Sequence, residues 1–89
     1  MDMRMAHEIL TEEDKRKLGD YAASIHWGFT PNDLMDQLEK YRNGTDHDKA
    51  EVLYLLEDCN YHTEAGLLID EDYDGLYALT GMQVRTSRG

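Results

Sequence analysis

The sequence predicts a small all-α domain, a bundle of three main helices plus one or two short helices near the C-terminus. Apolar residues recur at intervals of three and four over most of the chain, which is the period of a helix. Threonine stands where helices would begin, and glycine ends two of the three main segments. With 89 residues the chain can build one core only. We therefore expect a single acidic domain over residues 1–82 and a flexible tail of basic and polar residues over 83–89.

The first main helix is expected to start after Thr11 and to run to Ile25 or Trp27. Threonine is a favoured N-cap residue, and three acids follow it, where the helix dipole favours negative charge. The three bases that come next are spaced to pair with these acids at i,i+3 and i,i+4. The apolar positions of this segment lie three or four residues apart, at Leu18, Tyr21, Ala22 and Ile25.

Clear start and stop signals delimit the second main helix and open the third. Thr30 serves as the N-cap of the second, Pro31 fits its first turn, and Asn43-Gly44 ends it. The third begins after Thr45 or Asp46 and continues to about residue 61, with Tyr54 facing inward. Its apolar positions are Ala50, Leu53, Tyr54, Leu56 and Tyr61, with Leu55 on the flank. Its acids are expected on an outer arc formed by Asp46, Asp48, Glu51 and Asp58, with Glu57 at the edge.

The last third of the chain is open to two interpretations. Residues 63–69 can form a short helix or continue the third main helix, and residues 76–79 can form a final helical turn or two. The rival is a β-hairpin that pairs residues 66–69 with residues 76–79 around the turn Asp72–Gly75. An Asp-Gly pair favours hairpins, but a lone two-stranded hairpin is marginally stable in water. We therefore favour the helical interpretation.

Negative charge is concentrated in the second half of the chain. The first 45 residues carry nine acids and six bases, whereas the segment from Asp46 to Val84 carries ten acids and a single base, Lys49. A field of one sign attracts basic partners and repels nucleic acids and anionic membranes. We expect these ten carboxylates to bind a partner: Asp46, Asp48, Glu51, Glu57, Asp58, Glu64, Asp70, Glu71, Asp72 and Asp74.

The function predicted from this pattern is that of a small acidic protein that binds, and thereby inhibits or masks, a basic protein surface. Its most specific form is a nucleic-acid mimic that acts on a nucleic-acid-binding protein. In a continuous helix Glu57, Glu64 and Glu71 would recur about 10 Å apart, which exceeds the spacing of adjacent phosphates. A mimic would therefore combine rows of acids from neighbouring helices. In the other form, a few acids pair with particular lysines and arginines of an enzyme, and tyrosines serve as anchors.

Two alternative functions stay open at this stage. Residues Asp70–Gly75 reproduce the first half of an EF-hand calcium loop, with Asp70, Asp72 and Asp74 at ligand positions. The glutamate that should close such a loop is replaced by Gly81. The second alternative is a plain helical module that forms homo-oligomers.

Other classes of function are disfavoured. Cys59 and His62 offer half of a zinc site, or a nucleophile and a base without an orienting third group. We expect no catalysis, no cofactor and no direct binding of nucleic acid or membrane. One cysteine excludes an internal disulfide, and the start of the sequence lacks the apolar stretch of a signal peptide. The expected location is the cytoplasm.

Overall fold

In a computed structural model, the chain is described for residues 2–26 and 28–80, and these residues form six α-helices without a strand. The prediction of an all-α bundle is confirmed, and the alternative of a hairpin is wrong. Trp27 and the predicted tail lie outside the described residues. The helices are α1 (Met3–Ile9), α2 (Glu12–Ser24), α3 (Pro31–Asn43), α4 (Asp46–Asp58), α5 (His62–Ile69) and α6 (Tyr73–Thr80).

Helix α4 is the centre of the bundle, since α1, α2, α3 and α5 all pack against it. A helix surrounded in this way has no wide solvent face, and its buried positions do not form one narrow stripe. Of the acids predicted on an outer arc of α4, Asp46 is exposed and the others are partly buried. The placement of Leu55 on a flank is wrong, because Leu55 is 2% exposed. Five residues of α4 are buried: Ala50, Val52, Leu53, Leu55 and Leu56.

Helix α1 was not predicted, although it packs closely on α4. Asp2 caps it, because the Asp2 carboxylate accepts a hydrogen bond of 2.9 Å from the Met5 N–H. Ala6 is completely buried and Leu10 is 5% exposed, so this short segment covers part of the core. The cap and the apolar spacing from Met3 to Leu10 were the signals that could have identified it.

Three helices begin with the same reciprocal cap. A threonine hydroxyl accepts a hydrogen bond from the N–H of an aspartate three residues on, and that carboxylate accepts one from the threonine N–H. The donor–acceptor distances lie between 3.0 and 3.2 Å. The pairs are Thr11 with Asp14, Thr30 with Asp33, and Thr45 with Asp48. These predicted helix starts are confirmed.

Helices α4 and α5 both end at a left-handed residue that is not glycine. After α4, Asn60 adopts a positive φ of 67°, and the Tyr61 N–H donates to the Leu56 carbonyl. After α5, Glu71 has a φ of 58°, and the Asp72 N–H donates to the Leu67 carbonyl. Both are Schellman endings, which usually place glycine at the left-handed position. Residues 62–69 therefore form a separate helix and do not extend α4.

Aromatic side chains connect the helices, and Tyr54 faces inward as predicted. Tyr54 and Phe29 are partly buried against the core. The rings of Phe29 and Tyr61 lie 5.3 Å apart, and the Phe29 N–H donates to the Tyr61 hydroxyl at 3.2 Å. These contacts fasten the start of α3 to the end of α4.

Within the described part of the chain, no helix has the length and apolar character needed to cross a bilayer.

Truncation of the central helix tests its role. Leu56 is 1% exposed and belongs to the main core cluster. Leu56→Ala is expected to lower the free energy of unfolding by about 2–5 kcal/mol, because it leaves a cavity that the neighbours fill only in part. Urea unfolding followed by circular dichroism measures this change.

The matched control is Leu79→Ala on α6, because Leu79 is 52% exposed. Its cost is expected to be about 0.5 kcal/mol or less. Equal losses in the two variants would contradict the central position of α4.

Candidate functional site

The ten acids proposed as binding residues differ in how far they are exposed to solvent. Half of them are exposed and half are partly buried. The exposed group comprises Asp46, Asp70, Glu71, Asp72 and Asp74. The partly buried group comprises Asp48, Glu51, Glu57, Asp58 and Glu64.

Most of the partly buried acids already have partners within the protein. Asp48 caps α4, as described above. Glu51 lies 2.9 Å from Lys40 Nζ, which joins α4 to α3. Glu57 lies 2.9 Å from His62 Nδ1 at the junction of α4 and α5. Glu51 and Glu57 thus join α4 to neighbouring helices, whereas Asp48 caps its own helix. A sequence pattern does not separate these roles from partner binding.

The exposed acids of the α5–α6 junction form what we call the acidic turn, defined as Asp70, Glu71, Asp72 and Asp74. Asp70 and Glu71 belong to the helix ending of α5, and Asp74 lies in the first turn of α6. The Asp72 carboxylate accepts a hydrogen bond of 2.9 Å from the Gly75 N–H, which is the contact of an N-cap. Four charges thus project from five consecutive residues.

The acidic turn lies near the end of α3, where α3 joins α4. The Arg42 guanidinium lies 4.9 Å from the centre of the Tyr73 ring, which fixes α6 against the end of α3. Burial raises the pKa of Tyr41 to about 12, with smaller contributions from the nearby Tyr73 and Glu71. Exposed Asp46 begins α4 at this same junction.

The bases at this junction leave the acidic turn unpaired. Arg42 lies over Tyr73, and Lys49 lies 5.5 Å from the centre of the Tyr41 ring. Among residues 2–26 and 28–80, no ion pair reaches the acids of the turn. Within those residues the acids of the turn are exposed to solvent and carry no ion pair.

The geometry of the turn differs from that of a calcium loop. Helix α6 begins at Tyr73, inside the segment that a calcium loop would need, and the Asp72 side chain is occupied as a cap. A Cβ on Gly75 would meet the Asp72 carboxylate, so this glycine makes room for the cap. Asp70, Asp72 and Asp74 are not among the groups of possible metal ligands that converge in the described structure.

A different cluster of ligand-type side chains joins α2 to α4, and the sequence did not predict it. Asp14, His47 and Glu51 offer atoms within 4.8 Å of one another. His47 Nε2 lies 3.1 Å from Asp14 Oδ2, and His47 Nδ1 lies 3.8 Å from Glu51 Oε2. Each ring nitrogen thus faces a carboxylate, which suits a protonated imidazole. Lys40 beside Glu51 adds a positive charge that opposes a bound metal ion.

The charges around His47 favour an ion pair between protonated His47 and ionised Asp14. The pKa of His47 is raised, chiefly by its hydrogen bond to Asp14 and then by the charges of Glu51, Asp14 and Asp48. The pKa of Asp14 is lowered, first by the hydrogen bond from the Thr11 N–H and then by His47. The His47 side chain is 47% exposed, so solvent screens the interaction.

The pair of Cys59 and His62 is not brought together as a nucleophile and a base. Cys59 is buried, and burial, assisted by the charge of Asp58, raises the pKa of its thiol. A thiol of raised pKa is a poor nucleophile. The His62 imidazole instead contacts Glu57.

Comparisons with models of protein families, with curated proteins and with solved structures found no significant match. The class that the structure itself defines is a small all-α bundle with an exposed acidic turn.

The His47 cluster predicts how stability depends on pH. Because the folded pKa of His47 is raised, its stabilising contribution is complete below the ordinary value of 6.5 and is lost as pH rises through the folded value. Because the pKa of Asp14 is lowered, its contribution is present above 3.8 and is lost on further acidification. His47→Gln should therefore destabilise the protein most between about pH 4 and pH 6.5, and progressively less above that range.

Urea unfolding at several pH values measures this difference. His26→Gln is the control, because His26 is an exposed histidine outside the cluster. A loss of stability in His47→Gln that is the same at pH 6 and pH 9 would contradict the assigned ion pair.

Substitutions of Asp72 distinguish its role as the N-cap of α6 from a role in ion binding. Asp72→Ala should lower the free energy of unfolding by about 1 kcal/mol, whereas Asp72→Asn keeps an acceptor for the cap and should cost only a few tenths. Both differences should be the same with and without millimolar calcium in thermal melts. A calcium-dependent rise in melting temperature that Asp72→Asn removes would instead establish the turn as an ion site.

Proposed function

We propose that this protein binds a basic protein surface through its acidic turn and masks that surface. The observation that carries the proposal is the set of four exposed carboxylates in five residues that have no ion pair among the described residues. A folded protein gains nothing in stability from such crowding of like charges, which repel one another. The N-terminal acids behave differently. Glu12, Glu13 and Asp20 pair with lysines and arginines on their own helix.

The net charge of −10 supports the same proposal. A negative field of this size increases the rate at which a basic partner is encountered, and that rate falls as salt screens the charges. The turn is also held in place, because Asp72 is fixed as a cap and Tyr73 lies against Arg42. A preorganised acidic group loses less entropy on binding than a flexible one.

The specific partner that we propose is a nucleic-acid-binding protein, whose basic surface this chain would occupy in place of nucleic acid. A regular row of acids along one helix does not support this form, because Glu57, Glu64 and Glu71 lie on separate elements. What supports it is the compact group of four exposed carboxylates that the acidic turn presents within five residues. Such a group can replace a few phosphates in a basic groove.

We propose further that the protein acts by binding and not by catalysis, and that it is located in the cytoplasm. A lone buried cysteine such as Cys59 stays reduced there.

Affinity capture at low salt tests the proposal. The immobilised protein is exposed to a cell lysate, and bound proteins are identified by mass spectrometry. We expect basic, nucleic-acid-binding proteins that elute as salt rises and that double-stranded DNA or RNA displaces. The triple variant Asp70→Asn, Glu71→Gln, Asp74→Asn should lose this capture while keeping the Asp72 cap.

The control removes the same number of charges elsewhere, by Glu12→Gln, Asp20→Asn and Asp36→Asn. These three acids are exposed and lie on α2 and α3. Equal losses in the two triple variants would show that total charge, and not the acidic turn, governs binding. Recovery of no basic protein at low salt would end the proposal, and capture that DNA and RNA leave unchanged would end its nucleic-acid-mimic form.

A further inference from the structure

Helix α2 is held to the bundle by few buried contacts. All 13 residues of α2 are described, and Ala22 alone among them is buried. Ala22 meets Leu55 of α4 and Cys59, the C-cap residue of α4, in a small cluster that is distinct from the main core. A helix with so few buried apolar contacts is prone to local opening, in which it leaves the bundle while the rest stays folded.

A glycine inside α2 weakens this helix further. Gly19 lies well within α2, where glycine is a poorer helix former than alanine. Among the described residues, a Cβ at this position would point into open space. Packing therefore does not require a glycine here, and its presence makes α2 easier to unfold than alanine would.

A charged contact supplements the small apolar interface of α2. The Asp14 carboxylate of α2 lies 3.1 Å from His47 Nε2 of α4. Glu51 and Asp48, both on α4, add negative charge around the imidazole, and Lys40 of α3 contacts Glu51. When α2 leaves the bundle, Asp14 leaves with it, whereas the other charged groups stay with α3 and α4. Asp14 therefore links the protonation of His47 to the position of α2.

From these contacts we infer that α2 is a flap whose opening is controlled by the proton on His47. With a protonated imidazole, the ion pair to Asp14 holds α2 against α4. Loss of the proton leaves a weaker hydrogen bond between a neutral imidazole and a carboxylate, so α2 opens more often and uncovers Leu55 and Cys59. Because the folded pKa of His47 is raised, chiefly by its hydrogen bond to Asp14, the closed state loses stability as pH rises through that value.

The flap is independent of the proposed binding function. Its residues lie on α2 and at the facing side of α4, and none of them belongs to the acidic turn. Opening uncovers an apolar surface, whereas the acidic turn presents charge. The main core stays packed when α2 opens, so this motion also differs from the global unfolding considered above.

Labelling of the Cys59 thiol measures the opening on the intact protein, because this thiol is buried beneath α2 when the flap is closed. The reagent is methyl methanethiosulfonate in excess, and mass spectrometry follows the reaction between pH 6 and pH 9. Each rate is divided by that of a capped peptide of residues 57–61 at the same pH, which removes the pH dependence of the thiol itself. This quotient is expected to rise about two- to fivefold over the range, the effect of a partly exposed ion pair.

The dependence on urea distinguishes opening of the flap from global unfolding. Opening of α2 exposes less surface, so the logarithm of the quotient should rise less steeply with urea than global unfolding followed by circular dichroism. A slope equal to that of global unfolding at every pH would overturn the inference.

Three variants assign the effect to particular residues. His47→Gln should make the quotient independent of pH between 6 and 9. His62→Gln is the matched control and should keep the pH dependence, because it removes an imidazole–carboxylate contact to Glu57 that joins α5 to α4 and does not involve α2. Gly19→Ala should lower the quotient about fourfold at every pH, since it stabilises α2.

Several outcomes would contradict the flap. These are a quotient that does not change with pH in the unmodified protein, an equal rise in the His47→Gln and His62→Gln variants, and an unchanged quotient in Gly19→Ala. Because no partner takes part in the labelling, its result is independent of the capture experiment.

Discussion

Burial of α4 on several sides is the constraint on which the rest of the structure depends. A chain of this size has one core, and here a single helix supplies five of its buried residues. The other helices are short, and the last two have only eight residues each. Helices of this length are marginal in isolation, so their stability comes from packing. How α1, α2, α3 and α5 surround α4 decides which of its side chains reach solvent.

The same constraint determines what the acids do. Glu51 and Glu57 lie on α4 and therefore face neighbouring helices, where Lys40 and His62 pair with them. One carboxylate oxygen of Asp58, Oδ2, is buried. The acids of the α5–α6 junction lie on a connection and not on the central helix, so they stay exposed and unpaired among the described residues. The acids thus fall into two groups: those of α4 that pair within the protein, and those of the α5–α6 junction that face outward.

Helix endings then decide where the outward-facing group lies. The left-handed residues Asn60 and Glu71 close α4 and α5 with Schellman hydrogen bonds. The acidic turn follows the second of these endings and lies near the end of α3, where Arg42 and Tyr73 meet. Without these endings, the acids would follow α4 as a regular helical row, which is the arrangement that extended mimicry of a phosphate row would need. The fold favours a compact group of charges instead.

The sequence by itself determined the helical class, the starts of the main helices and the asymmetry of charge. These features are local: a threonine followed three residues later by aspartate makes its own cap, and charge is counted without coordinates. Local patterns did not reveal that α4 is surrounded, because Val52 and Leu55 look like flank positions until neighbours cover them. Nor did they reveal α1 as part of the core, or the meeting of Asp14 with His47, which lie 33 residues apart. Among the described residues, tertiary packing decided that Glu51 pairs with Lys40 and that Asp14 meets His47, because these contacts join residues distant in the chain.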